Sequence, residues 1–166
     1  MSEATKINHA LEHGTIYFIR KKFGNNIKVG GCAEDTGFRI CGISEKKEII
    51  NAFETFIKND NKENIIILMR CGSSIVTAQG FGLILLTVSG VFLKITHANY
   101  VIISVILLLN VLIYYLLRKN IAEMVQEKLF MSLNFKTASI HSINKVKKKR
   151  YIEINPVYMV KTIVDS

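Results

Sequence analysis

The chain has 166 residues, 49% of them hydrophobic and 21% charged, with 22 Lys and Arg against 13 Asp and Glu for a formal net charge of +9. A mean hydropathy of +0.27 is high for a soluble domain, so the apolar and the basic residues must be concentrated in different places. Composition excludes a disordered tail, a collagen-like fibre and a disulfide-built secreted domain; length allows one modest domain plus an anchor, or two small lobes.

In chain order, Ile7 to Phe23 reads as a helix ended by Gly24-Asn25-Asn26. Ile27 to Cys32 and Phe38 to Gly42 read as strands around the turn Glu34-Asp35-Thr36-Gly37. Ser44 is a natural N-cap for a helix over Glu45 to Lys58, with Ile49, Ile50, Phe53, Phe56 and Ile57 at helical spacing. Asn64 to Arg70, with its Ile65-Ile66-Ile67-Leu68-Met69 run, is expected to be a buried strand.

From Ser74 to Leu117 the charge-capable side chains are Lys94 and His97. The runs Ile75–Ile95 and Tyr100–Leu117 are 21 and 18 residues long. About 20 helical residues cross the hydrocarbon layer, so the pair predicts a transmembrane hairpin turning at Thr96–Asn99. Two runs so largely apolar, with no polar face, leave a soluble helix nowhere to put its outer side. Ala78 and Gly82, with Ser89-Gly90 further on, suit close approach of the other arm. Asn110 should face a partner. Residues 1–70 carry 11 Lys and Arg and residues 118–166 carry 10, which places both flanks in the cytoplasm. The polar first 15 residues do not read as a signal peptide. Cys32, Cys41 and Cys71, odd in number, read as thiols.

Ile121 to Met131 is expected to continue as helix, followed by strands over Ala138–Val146 and Tyr151–Ile154 joined by Lys147-Lys148-Lys149-Arg150. That basic cluster, with Lys145, has no aromatic platform beside it, so nucleic acid is not an expected partner. Anionic lipid headgroups are the simpler account, and a solvated hairpin tip is an equal alternative.

The sharpest motif is His9-Ala10-Leu11-Glu12-His13. Histidines four apart stand one turn above each other on one helix face, as two ligands of one metal must, and neutral imidazoles suit zinc. Glu12 lies near the same face, where a carboxylate can act on water as a general base without ligating the metal. Ile7, Ala10, Leu11, Gly14, Tyr17 and Phe18 form one apolar face, and Ile16, Ile19 and Phe23 accompany the His-Glu-His face, so both sides are expected to be covered. A buried cluster of this kind needs partners, which a metal or ordinary hydrogen bonds would supply. Cys71 is the first choice for a third ligand, at a corner where Gly72 permits tight geometry and the next helix's amides favour a thiolate. Asp35 is the competing ligand. As plain structure, Cys71 is a small buried residue and Asp35 a turn-former.

The opening His9-Ala10-Leu11-Glu12-His13-Gly14-Thr15, the turn Asp35-Thr36-Gly37-Phe38 and the corner Cys71-Gly72-Ser73 resemble an uncharacterised bacterial membrane-protein family. Its members carry an A-L-E-H-A-T-like opening and an N-C-G-T-like corner; Arg70 and Ser73 stand here where that family has asparagine and threonine. The resemblance implies the choice of positions and no reaction. The pentad also resembles the pitrilysin-type, inverted-motif zinc peptidases, whose third ligand is a glutamate far downstream. Two histidines, a cysteine and a glutamate base are similar in kind to the site of peptide deformylases.

The expected molecule is an integral membrane protein of a bacterial inner membrane, an α+β cytoplasmic unit with a two-helix transmembrane hairpin and both termini cytoplasmic. Its expected parts are an N-terminal lobe over 1–73, the hairpin over 74–117, and a helix and β-hairpin over 118–166 on or near the first lobe. The expected function is a zinc-dependent hydrolase, a metallopeptidase acting on a peptide or protein at the inner leaflet, with membrane lipids as its other partners. His9, His13 and Cys71 (or Asp35) would bind zinc and Glu12 would be catalytic. The alternative is a non-enzymatic, membrane-anchored binding module with a structural metal or none; a nucleic-acid tether trails both.

Overall fold

The computed structural model describes residues 1–62, 65, 71–96, 99–147 and 156–165. The chain divides into two compact units, Met1–Ile67 with Leu129–Ser166, and Leu68–Lys128.

The first unit is α+β. Helix α1 (Glu3–Phe23) starts at Ser2, whose hydroxyl accepts from the Thr5 amide, and stops at Gly24, where φ of 91° suits glycine. Strands β1 (Gly30–Glu34) and β2 (Gly37–Cys41) form an antiparallel hairpin around Asp35-Thr36. Gly37 holds φ of 149°, and a Cβ there would lie 2.0 Å from the Val160 carbonyl oxygen, so only glycine fits. Helix α2 (Lys46–Ile57) follows. Strands β3 (Thr137–Val146) and β4 (Val157–Asp165) complete a four-stranded antiparallel sheet in the order β1-β2-β4-β3. Both ends of the chain therefore build one sheet.

Alternation places Phe38 and Ile40 of β2 on the same face as their β4 partners Val160 and Tyr158. The core gathers there: Phe38, Ile40 and Val160 are fully covered, with Leu11 of α1 and Ile49, Phe53 and Phe56 of α2. The Phe38 and Phe53 rings stack with centroids 6.3 Å apart. Gly14 lets α1 meet α2, because the place its Cβ would take is 2.3 Å from the Phe56 ring.

Helix α3 (Gly72–Thr96) and helix α4 (Tyr100–Val125) form the second unit, and a π-helical turn, Gln126–Phe130, follows α4. Both are long and apolar enough to cross a membrane. Asn99 caps α4 by accepting from the Ile102 amide. The arms meet through small residues, as expected: Gly82 lies under Tyr114, where a Cβ would come within 3.2 Å of the ring. Asn110, 8% exposed, donates to the Ser89 hydroxyl at 2.8 Å and accepts from it at 3.1 Å. The Ser74 hydroxyl donates to Gln126 at 2.8 Å.

Two expectations require correction. The residue before α2 is Glu45, with no side-chain cap bond, so Ser44 is not its N-cap. Among the described residues β3 pairs with Val157–Asp165, with Val146 opposite Val157. Pro156 lacks a donor and so precedes the strand as its boundary, while the β-branched run behind it pairs on both sides. Ile65, which the expected strand Asn64–Arg70 contains, is helical and buried. A continuous apolar run does not distinguish a buried helix from a buried strand. The rest of that strand, residues 151–154, Lys148–Arg150 and His97 lie outside the described residues.

The Gly14–Phe56 contact yields a test. Gly14→Ala should destabilise the first unit by about 1–3 kcal/mol, the usual cost of overpacking, even though alanine is the better helix former. Thermal unfolding followed by circular dichroism reads this; a variant as stable as the parent would show that α1 and α2 part freely.

Candidate metal centre

Helix α1 carries the motif, and its surroundings explain its composition. Among Ile7 to Ile16 only His9 is partly exposed; the rest are buried. Glu12 and His13 are 4% and 2% exposed, so the motif is not on a solvated face. Three hydrogen bonds hold the helix's rotation. The Asn8 amide donates to the Glu34 and Asp35 carbonyls at 2.9 and 3.1 Å, and its oxygen accepts from the Thr162 hydroxyl at 2.6 Å.

The imidazoles of His9 and His13 lie edge to face with centroids 4.5 Å apart, and their ligand nitrogens lie within 4.8 Å of each other. His9 Nδ1 is 2.9 Å from the Phe130 carbonyl oxygen. A carbonyl only accepts, so Nδ1 carries the proton and Nε2 presents the lone pair. Metal-binding histidines are commonly oriented this way, by a backbone carbonyl behind the ring. Phe130 ends the π-helical turn, and a helix's last carbonyls lack intrahelical partners.

Glu12 points at β1. A Cβ on Gly31 would lie 2.7 Å from Glu12 Oε1 and 2.6 Å from the Arg39 carbonyl oxygen, so glycine there makes room for the carboxylate. Cys41, on β2, has its thiol pushed up by burial foremost and by the Glu12 charge in addition, against a hydrogen bond to Gly30. It remains a thiol and donates to the Gly30 carbonyl at 3.2 Å.

Cys71 is half-buried and immediately precedes α3; its carbonyl accepts from the Ile75 amide, which makes it the N-cap residue. It belongs to the second unit and the two histidines to the first; imidazole nitrogens and a cysteine sulfur are the donor types that suit a borderline-soft divalent ion. Asp35 is placed otherwise. It is exposed, and its carboxylate accepts from the Ser2 and Thr5 hydroxyls at the start of α1. Those bonds, Ser2 first and Thr5 second, hold its pKa below the usual 3.8.

Residues 4–143 match a family described as "Domain of unknown function (DUF6391)". The chain belongs to this family. No curated protein and no solved structure matches it. The match spans α1, the β1–β2 hairpin, α2, both apolar helices and most of β3, and it includes every residue of the candidate centre.

Three contributors escape sequence reading. Asn8 stands beside the motif as an unremarkable polar residue, the Phe130 carbonyl has no side-chain signature, and Gly31 reads as a strand breaker. Only Gly31 leaves a signal, because a glycine inside a strand marks close approach of another group.

Asp35 supports a pH prediction. A carboxylate whose folded pKa is depressed adds stability above its unfolded pKa and loses it as pH falls through the folded value. The protection of amides in the first turn of α1, relative to their intrinsic exchange at each pH, should therefore fall as pH drops below the ordinary carboxylate range, and Asp35→Asn should abolish that dependence. An unchanged profile in Asp35→Asn would assign the effect to another group.

Proposed function

We propose that the chain is a membrane-anchored zinc-dependent hydrolase, a metallopeptidase working at the cytoplasmic face of a bacterial inner membrane. His9, His13 and Cys71 hold the metal and Glu12 is the general base. The observation that carries this reading is the bond from His9 Nδ1 to the Phe130 carbonyl, which leaves Nε2 as the ligand atom of an i, i+4 histidine pair. Zinc, when bound, supplies Lewis acidity toward water and a scissile carbonyl.

The chain's own groups do the remainder. Helix α1 presents two imidazoles on one face. Cys71, at the start of α3, gains thiolate character from the amides of the helix's first turn. Glu12, shielded from bulk water against β1, receives the proton that water gives up and can return it to the leaving amine. The hairpin anchors the unit, and basic residues on both flanks favour the cytoplasmic side.

A second reading is favoured by one observation. Glu12 sits in a recess made by Gly31, as a carboxylate tying α1 to β1 in a non-enzymatic module would.

Metal analysis of the full-length, detergent-purified chain separates the two. Wild type and Glu12→Gln should hold stoichiometric zinc, and His9→Ala should lose it. Against a panel of peptides, Glu12→Gln should be slower than wild type by roughly 10²–10⁴-fold. Carefully prepared wild type without stoichiometric metal would sink the hydrolase, and metal without turnover would favour the binding module. Cys71 has its own check: a thiol reagent should label it readily only after chelation, and equal labelling with and without chelator would remove it from the ligand set.

A further inference from the structure

The membrane-facing side of α3 carries a seam that the hairpin itself does not use. Ala78, Gly82 and Ser89 turn toward α4. A second set, Val76, Gln79, Leu83, Leu86, Gly90 and Leu93, follows the alternating three-and-four spacing of a heptad seam. Val76, Leu83 and Leu86 are 69%, 66% and 53% exposed. Gln79 is exposed as well, and beside Gly90 a Cβ would meet nothing within 4 Å. This is the pattern of a left-handed helix pair, in which a small residue lets the backbones approach.

Gln79 says what covers the seam. Among the described residues its amide makes no hydrogen bond. It lies five residues inside the span Ser74–Ile95, about 7 Å along the helix from the span's end, on the anchoring reading given above. An amide in hydrocarbon without a partner is costly. A groove of about 580 Å³ runs beside it, lined by Gln79, Gly82, Leu83, Leu86, Asn110 and Tyr114.

We infer that the seam binds a second copy of this chain, pairing α3 with α3 about a two-fold axis along the membrane normal. A primary amide carries donor and acceptor together, so two of them can satisfy each other by reciprocal hydrogen bonds. Copies inserted with the same topology hold Gln79 at the same depth, and a two-fold axis brings identical residues together. An unrelated helix would need its own amide at that level. A single polar residue in an apolar seam also fixes register, because any slip leaves both amides unpaired.

The test uses full-length chains, donor- and acceptor-labelled, reconstituted in phospholipid vesicles over a range of protein-to-lipid ratios. Wild type should show energy transfer above that of random mixing. Gln79→Leu should need about tenfold more protein per lipid for the same transfer, and Gln79→Asn should stay near wild type. Disulfide trapping gives an independent readout: Leu83→Cys should cross-link between copies, and Ile84→Cys, off the seam, should not. Random-mixing transfer in wild type, equal association of Gln79→Leu, or cross-linking that favours Ile84→Cys would each overturn the dimer. None of these readouts involves metal, so failure here leaves the hydrolase reading untouched.

Discussion

Asn8 sets the rotation of α1, and most of the first unit's arrangement depends on it. Its amide bonds two successive carbonyls of the β1–β2 turn, and its oxygen takes the hydroxyl of Thr162 on β4. A helix free to roll could offer its residues to the sheet in several ways. With Asn8 bonded on both sides, Leu11 goes to the core, Gly14 to Phe56, Glu12 to Gly31 and His9 to the Phe130 carbonyl. Each hydrogen bond contributes about 1 kcal/mol net, but leaving the buried amide unpaired would cost more. The bonds therefore act chiefly by excluding other orientations.

The second unit answers a different constraint. Its exposed surface is apolar almost all round, so packing alone holds the arms together weakly if lipid surrounds them. Close approach at Gly82 and the reciprocal Ser89–Asn110 bonds provide specific contacts, and the latter occupy the buried amide of Asn110. The same reasoning that satisfies Asn110 within one hairpin leaves Gln79 looking outward. Asn110 and Gln79 thus have different addresses, one internal and one external.

The helices α1 and α2, the first hairpin and the two apolar spans were legible because they rest on local signals: a glycine stop at Gly24, a turn within Glu34–Gly37, and long apolar runs. The pairing of β3 with β4 was not, because register across a ten-residue connection is decided by tertiary fit and the basic cluster reads as a turn by itself. Ile65 went astray for a related reason, since an all-apolar run carries no period. The motif on α1 was plain, but its supports were not. The partner of His9 is a backbone oxygen 121 residues away, and no residue type announces one.

The three cysteines show how position sorts one functional group into different chemistry. Cys41 is buried beside a buried carboxylate, and both burial and that charge disfavour a thiolate, so it serves as a thiol donor to Gly30. Cys32 is exposed on β1 and donates to the Ala33 carbonyl at 3.7 Å. Cys71 alone immediately precedes a helix, the 25-residue α3, and a helix start favours negative charge. A metal takes thiolate and not thiol, and the proposed ligand role of Cys71 draws on that position. The same consideration sets Asp35 apart: its carboxylate is already committed to the hydroxyls that begin α1, and drawing it to a metal would unfasten the helix that carries both histidines.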